Sequence, residues 1–294
     1  MQAVAGVDDT PLVSVLIPAY QAEAYVADAI ASVLQQDYPA LEILVVDDAS
    51  TDGTPAVVER ITDPRVTLLR RGVNGGAAAA RDTGLAVAQG PLIALLDADD
   101  FWLPNKLRRQ VDYMSRHKDV VLTYAGIRFE VDGLASSVYQ PPLELTFHDL
   151  MAHRLVPVQT MVYRKSAVER IGGFRSPERV AEDLDVCLRL TAAGVVAGVP
   201  DVLAVARIHA TNTSRDQQAV ADATLAVLDR YAHHHCRSCR RAIRTTRYEF
   251  GRPVLLDAAR QLRRGRRPAD AVQAVRVIRR YPDVLLTGVL RRTR

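Results

Sequence analysis

Four short aliphatic runs alternate with helical patterns over the first hundred residues, and that alternation leaves few folds open. Leu12 to Ile17 is rich in branched side chains and stops at Pro18; Glu42 to Val46 is closed by Asp47 and Asp48; Val66 to Leu69 and Leu92 to Leu96 follow. Runs of this length without polar alternation read as strands buried on both faces. Between them, Val26, Ile30, Val33 and Leu34 fall at helical spacing, and further helices are predicted from about Pro55 to Ile61 and Ala77 to Ala88. This order predicts an α/β fold, a mostly parallel sheet with flanking helices. Right-handed crossovers then bring the strand ends to one edge, where open sheets of this kind bind ligands.

Past Pro104 the pattern predicts an amphipathic helix to about His117, a strand from Val120 to Tyr124 and a hairpin at Asp132-Gly133. A strand from Val158 to Tyr163, a short helix, a helix over Glu182 to Ala193 and strands near Val195 and from Leu203 to Ile208 complete the unit. Beyond Ser214 only helical periodicity remains, with breaks expected at Pro253, Pro268 and Pro282. The expected organisation is a flexible stretch over 1–12, one domain over 13–214 and an Arg-rich helical region over 215–294.

The formal charge of +4 hides an uneven distribution. Residues 1–236 carry 21 Lys or Arg against 30 Asp or Glu, whereas residues 237–294 carry 17 Arg against four acids, a net +13. Such a tail is expected to meet an anionic surface, a membrane rather than nucleic acid, unless the arginines simply lie on solvated helix faces. Three cysteines are too few for a disulfide framework, and no signal-like opening or apolar span of bilayer length is present. These features predict a cytoplasmic protein, at most peripheral at the inner face of the cell membrane. Cys236 and Cys239 are spaced like half of a zinc site, but the three adjacent histidines, His233 to His235, cannot all face one ion from a helix; an ordinary polar helix end is the default.

The chemistry is expected at two acidic clusters on the ligand-binding edge. Asp97-Ala98-Asp99-Asp100 places three carboxylates in four residues, which repel unless a cation joins them; a divalent ion there could bridge to a diphosphate. In extended backbone, Asp97 and Asp99 would project to the same side. Asp47-Asp48 reads either as a turn or helix cap, or as a carboxylate accepting hydrogen bonds from a nucleobase or ribose. Asn74-Gly75-Gly76 looks like a turn entering a helix packed closely on the sheet. Arg81, inside that helix, needs an anion, either a diphosphate or one of the loop aspartates.

Together these segments resemble the inverting family 2 glycosyltransferases of the GT-A fold. The resemblance runs through Val13 to Tyr20, Ile43 to Thr54, Asn74 to Gly84, Leu96 to Pro104 with its DXD segment, Gly172-Gly173-Phe174, Glu182-Asp183 and Arg207-Ile208-His209, in order over residues 13–214. It implies that Pro18, Ala19 and Tyr20 hold the nucleobase and that Asp48 reads its edge. Arg81 would sit near the base or diphosphate and Asp97 near the ribose, while Asp99 with Asp100 would hold Mn²⁺ or Mg²⁺. His209 would supply a further metal or diphosphate contact, though a lone His is as often structural. Asp183 is the implied catalytic base, with Glu182 and Asp185 as competitors. Gly172 and Gly173 would shape the acceptor side, and Trp102 would line the sugar site or lie in the core. The implied reaction moves a sugar, a hexose-type unit with a UDP-sugar favoured, from a nucleoside-diphosphate donor to a hydroxyl of a glycan, lipid-linked or small-molecule acceptor. A sugar-phosphate nucleotidyltransferase would instead want a Gly-rich basic loop after the first strand, where Pro18-Ala-Tyr-Gln-Ala22 stands. A receiver domain leaves the second acidic cluster unexplained, and a non-catalytic carbohydrate-binding descendant would have lost carboxylates that are present here.

Overall fold

The computed structural model describes residues 10–152, 156–209, 217–232 and 236–263. Most of the stretch expected to be flexible, the boundary at Ser214, His233 to His235 and the prolines at 268 and 282 lie outside these residues. Pro11 is already anchored, its carbonyl accepting the Tyr38 hydroxyl at 2.5 Å.

The first half alternates as its pattern predicts: β1 (Val13–Ala19), α1 (Val26–Leu34), β2 (Leu41–Asp47), α2 (Thr54–Glu59), β3 (Val66–Arg70), α3 (Ala77–Val87) and β4 (Leu92–Leu95). There follow β5 (Phe101–Trp102), α4 (Lys106–Arg116), β6 (Val120–Val131), β7 (Leu134–Tyr139), α5 (Phe147–Met151), β8 (Val162–Arg164), α6 (Lys165–Arg170), α7 (Glu182–Leu190) and β9 (Val195–Ile208). One sheet runs in the order β3-β2-β1-β4-β8-β6-β9-β5, with β7 added on β6. The first four strands are parallel, β8 reverses, and β6 and β9 return to the original direction. The sheet is therefore mixed but mostly parallel. Its core is aliphatic: Val13, Val15 and Ile17 of β1 pack with Ile30 and Val33 of α1. On the other face α3 comes unusually close, because a Cβ at Gly84 would stand 3.0 Å from Leu16.

Two differences from the sequence pattern have local causes. The two strands expected near Val195 and Leu203 are a single strand, β9, in which Pro200 falls where pairing with β6 skips from Gly198 to Val202. A bulge absorbs a residue that cannot donate to the ladder. The expected strand over Val158 to Tyr163 begins instead as a 3-10 turn, Val158–Thr160. The hairpin turns at Asp132 and Gly133, both at positive φ, as a two-residue turn requires.

Residues 1–146 with 155–215 form one compact unit; 147–154 with 216–294 form another. The second contains α5, α8 (Gln217–Tyr231) and α9 (Arg237–Arg263). Contrary to the expected break, α9 runs through Pro253. Proline forfeits one i→i−4 bond at a cost of about 3 kcal/mol, which a long helix can absorb. Among the described residues no helix is long and apolar enough to cross a membrane.

Candidate active site

The strand ends of β1, β2 and β4 meet along one edge. Past β1, the loop at Gln21 to Glu23 is stitched to the loop after β2: Gln21 accepts the Thr51 N–H at 2.8 Å, and Glu23 accepts that of Gly53 at 2.9 Å. Asp52, not Asp47 or Asp48, meets the start of α2, accepting the Thr54 N–H at 3.0 Å. Pro18 and Ala19 close β1, and Tyr20 stands 54% exposed beside them, an aromatic face open to a ring. Asp48 is buried: its carboxylate accepts the N–H groups of Gly75 and Gly76 and pairs with Arg71 at 2.8 Å. It therefore fixes the Asn74-Gly-Gly turn against the end of β2.

Asp97 to Asp100 is a tight turn rather than extended chain, since the Asp100 N–H donates to the Asp97 carbonyl at 3.1 Å. Asp97 and Asp100 share one neighbour, the Gln159 amide, which donates to the first at 3.4 Å and to the second at 2.5 Å. Asp97 faces Arg81 at 2.9 Å. Asp99 meets His209, brought from the end of β9, at 3.0 Å, and that imidazole is stacked on Tyr25. Asp100 points inward, where Gln159 donates to one oxygen at 2.5 Å and the Arg207 N–H to the other at 2.8 Å. Burial and then the neighbouring carboxylates raise the pKa of Asp99, His209 partly opposing them, and push Asp100 well above the usual carboxylate range. An arriving cation would relieve that crowding. Asp99 and His209 are the residues that could hold such an ion, the carboxylate oxygen being the donor that Mn²⁺ or Mg²⁺ would prefer.

Arg81 lies buried in α3 and spreads its guanidinium between Asp97 and, at 2.8 Å, Glu182 at the start of α7. Burial alone would weaken its charge, but Asp97 and then Glu182 outweigh it. In this state the anion that Arg81 needs is supplied by the protein. The fork ties the acidic turn to the segment carrying Asp183.

The three carboxylates at the start of α7 are sorted by their partners. Glu182 is held by Arg81. Asp185 is buried on Arg189, whose guanidinium also donates to the carbonyls of Ile171, Gly173 and Arg175 and so clamps the glycine loop. Asp183 is in no ion pair among the described residues; its one close hydrogen bond is from the Leu184 N–H. Burial first, and Glu182 second, raise its pKa to about 6. The preceding Ala181 is held at φ 64°, a strained conformation for alanine that aims the helix start. Gly173, at φ +87°, lies against Asp82, which accepts the Phe174 N–H at 2.7 Å; a Cβ there would fall 2.5 Å from the carboxylate.

Trp102 is a core residue, 3% exposed, with its indole N–H on the Gln159 carbonyl. Sequence reasoning missed Gln159, Arg71 and Tyr25, which orient Asp100, Asp48 and His209. Gln159 alone left a signal, an amide inside the apolar run Val156 to Tyr163.

A family model described as glycosyl transferase family 2 matches residues 14–172. Over 220 residues the chain is 32% identical to the putative teichuronic acid biosynthesis glycosyltransferase TuaG of Bacillus subtilis, covering 73% of this chain and 86% of that protein. It is 29% identical over 207 residues to the Escherichia coli UDP-Glc:alpha-D-GlcNAc-diphosphoundecaprenol beta-1,3-glucosyltransferase WfaP, covering 70% and 81%. In fold it is similar to Staphylococcus aureus TarS 1-349 in complex with UDP-GlcNAc, at TM-score 0.67 and 19% identity, covering 91% of this chain and 79% of that one. The mannosyltransferase PcManGT from Pyrobaculum calidifontis, in complex with GDP-Man and Mn²⁺, gives TM-score 0.65 at 20% identity, covering 96% and 84%.

Proposed function

The chain belongs to glycosyl transferase family 2 and is a glycosyltransferase, and from that premise we propose that it carries a sugar from a UDP-sugar to a hydroxyl of a lipid-linked glycan, inverting the anomeric centre. The observation behind this reading is the Arg81 fork, which holds Glu182, and with it the neighbouring Asp183, against the acidic turn at Asp97. A half-buried carboxyl with its pKa near 6 then stands beside the edge where a nucleotide would bind. The relative WfaP, named for a UDP-Glc donor and a diphosphoundecaprenol-linked acceptor, supports the donor and acceptor class.

Tyr20 provides the face for the base, with Pro18 and Ala19 beneath it, and Asp48 keeps the loop at Gly75 and Gly76 in place around it. Asp97 is the carboxylate for the ribose. Asp99 and His209 would hold Mn²⁺ or Mg²⁺, which when bound stabilises charge on a departing diphosphate. Asp100, turned inward, supports the turn. Asp183 takes the proton of the acceptor hydroxyl as that oxygen forms a bond to the anomeric carbon. The bond to the diphosphate breaks with its electron pair going to the nucleotide, and no covalent intermediate is required. The arginine-rich end would place the enzyme on an anionic membrane surface, where a lipid-linked acceptor resides.

A panel of nucleotide sugars incubated with Mn²⁺ or Mg²⁺ tests the reading, with transfer and slow donor hydrolysis followed by nucleotide release. A UDP-sugar is expected to react, and Asp99→Ala to lose roughly two orders of magnitude in turnover, the scale of one main electrostatic contact to a leaving group. Full activity of Asp99→Ala in chelator would remove the metal from the reading, and turnover of GDP-sugars alone would change the donor.

A further inference from the structure

We propose that His148, Cys236 and Cys239 form a zinc-class metal site in the helical unit, separate from the catalytic edge. The three ligand atoms lie within 4.8 Å of one another, the one such group of three His, Cys, Asp or Glu among the described residues. His148 Nε2 is 3.3 Å from Cys236 Sγ, although 88 residues separate them in the chain.

The local structure explains how they meet. Cys236 immediately precedes α9 and Cys239 lies in its first turn, so residues three apart fall on one face. The Cys239 N–H donates to Cys236 Sγ at 3.5 Å, making that sulfur the cap of the helix. His148, on the short helix α5, approaches the same sulfur. None of the three cysteines is in a disulfide.

Geometry and chemistry then choose the ion. Zinc–sulfur bonds of about 2.3 Å and zinc–nitrogen bonds of about 2.0 Å put the ligands of a tetrahedron roughly 3.4–3.8 Å apart. The His148 to Cys236 separation already stands at that scale, so small side-chain rotations close the set. Two thiolates and an imidazole are soft to borderline donors that favour zinc over the hard ions suited to Asp99 and His209. Two thiolates also balance the charge of a divalent ion, on a helix otherwise crowded with arginine. Cys239 is buried, Cys236 half-buried and His148 exposed, which leaves the fourth position to water. The bound ion would pin α5 to the start of α9, linking metal binding to the folding of this unit.

The test uses the full chain without a polyhistidine tag, purified under reducing conditions. It is expected to retain about one equivalent of zinc at this site. Exchange with cobalt(II) is expected to give a thiolate-to-metal charge-transfer band and the intense visible bands of tetrahedral cobalt. Cys236→Ser and Cys239→Ser should abolish both, and His148→Ala, which truncates an exposed side chain, should weaken zinc binding roughly tenfold or more. Asp99→Ala should leave the charge-transfer band intact. The proposal is overturned if cobalt binds without a thiolate band, or if zinc is lost from Asp99→Ala but kept by the cysteine variants. It is equally overturned if the reduced chain takes up no zinc, or if its two cysteines are recovered as a disulfide.

Discussion

A carboxyl with its pKa near 6 is mostly ionised at neutral pH yet keeps more basicity than an ordinary aspartate. Asp183 reaches that value through burial and the adjacent Glu182, and the fold bears the cost. Transfer should fall as pH drops below about 6, where the base is protonated, and level off above it. Asp183→Asn should lower kcat by ~10²–10⁴-fold while leaving nucleotide affinity nearly unchanged. The same variant should gain stability, and the sign follows from proton counting. Between the usual 3.8 and about 6 the folded carboxyl holds a proton that the unfolded one has released, so wild-type stability declines with rising pH across that window. The Asn side chain escapes the decline; thermal melts should place it about 1–2 kcal/mol above wild type at pH 7.5 and near parity at pH 3.5. From the residues alone the proposed base was one of three neighbouring carboxylates, and the family resemblance singled out Asp183. The partners that engage Glu182 and Asp185, Arg81 and Arg189, lie elsewhere in the chain or one helical turn away.

Among the elements, α4 carries a polar group against its own interest. Lys106 is fully buried in its first turn, its Nζ 4.0 Å above the Trp102 ring and without a hydrogen-bond partner among the described residues. Burial drives its pKa well below the usual lysine range. From that lowered value up to about 10.4 the unfolded chain binds the extra proton, so this group makes stability rise with pH. Lys106→Met, of similar length, should raise stability at neutral pH by about 1–2 kcal/mol and flatten that slope, read from denaturant melts across pH. The helix itself was legible from its periodicity, as were the first four strands, because runs such as Ile43 to Val46 are apolar without alternation. β5 was not, having two residues, and β9 was read as two pieces because Pro200 breaks the pattern that its bulge repairs. The acidic turn was legible in composition but not in geometry: a hydrogen bond from the Asp100 N–H to the Asp97 carbonyl curls it, and its carboxylates meet Arg81, His209 and Gln159 from other segments.

At the scale of the whole molecule, the charge is divided along the chain, acidic through residue 236 and strongly basic after it. Vesicles containing anionic lipid should co-sediment the full chain, less as salt rises, because exposed charges are screened beyond about 8 Å at physiological ionic strength. Replacing Arg264, Arg266 and Arg267 with Gln should weaken that binding roughly tenfold or more, at about 1 kcal/mol per charge near the surface. Equal binding by the variant, or none to anionic vesicles by the parent, would leave the arginines without a membrane role. The Arg81 fork, finally, couples the acidic turn to the start of α7. After burial and Glu182, the charge of Asp97 is among the influences that keep the Asp183 proton in place. Whatever arrives with the nucleotide and neutralises Asp97 lessens that hold, and linkage makes the exchange reciprocal. A cation that arrives with the nucleotide beside Asp97 would therefore lower the Asp183 pKa, and the pH midpoint of transfer is expected to fall as donor and metal saturate the enzyme.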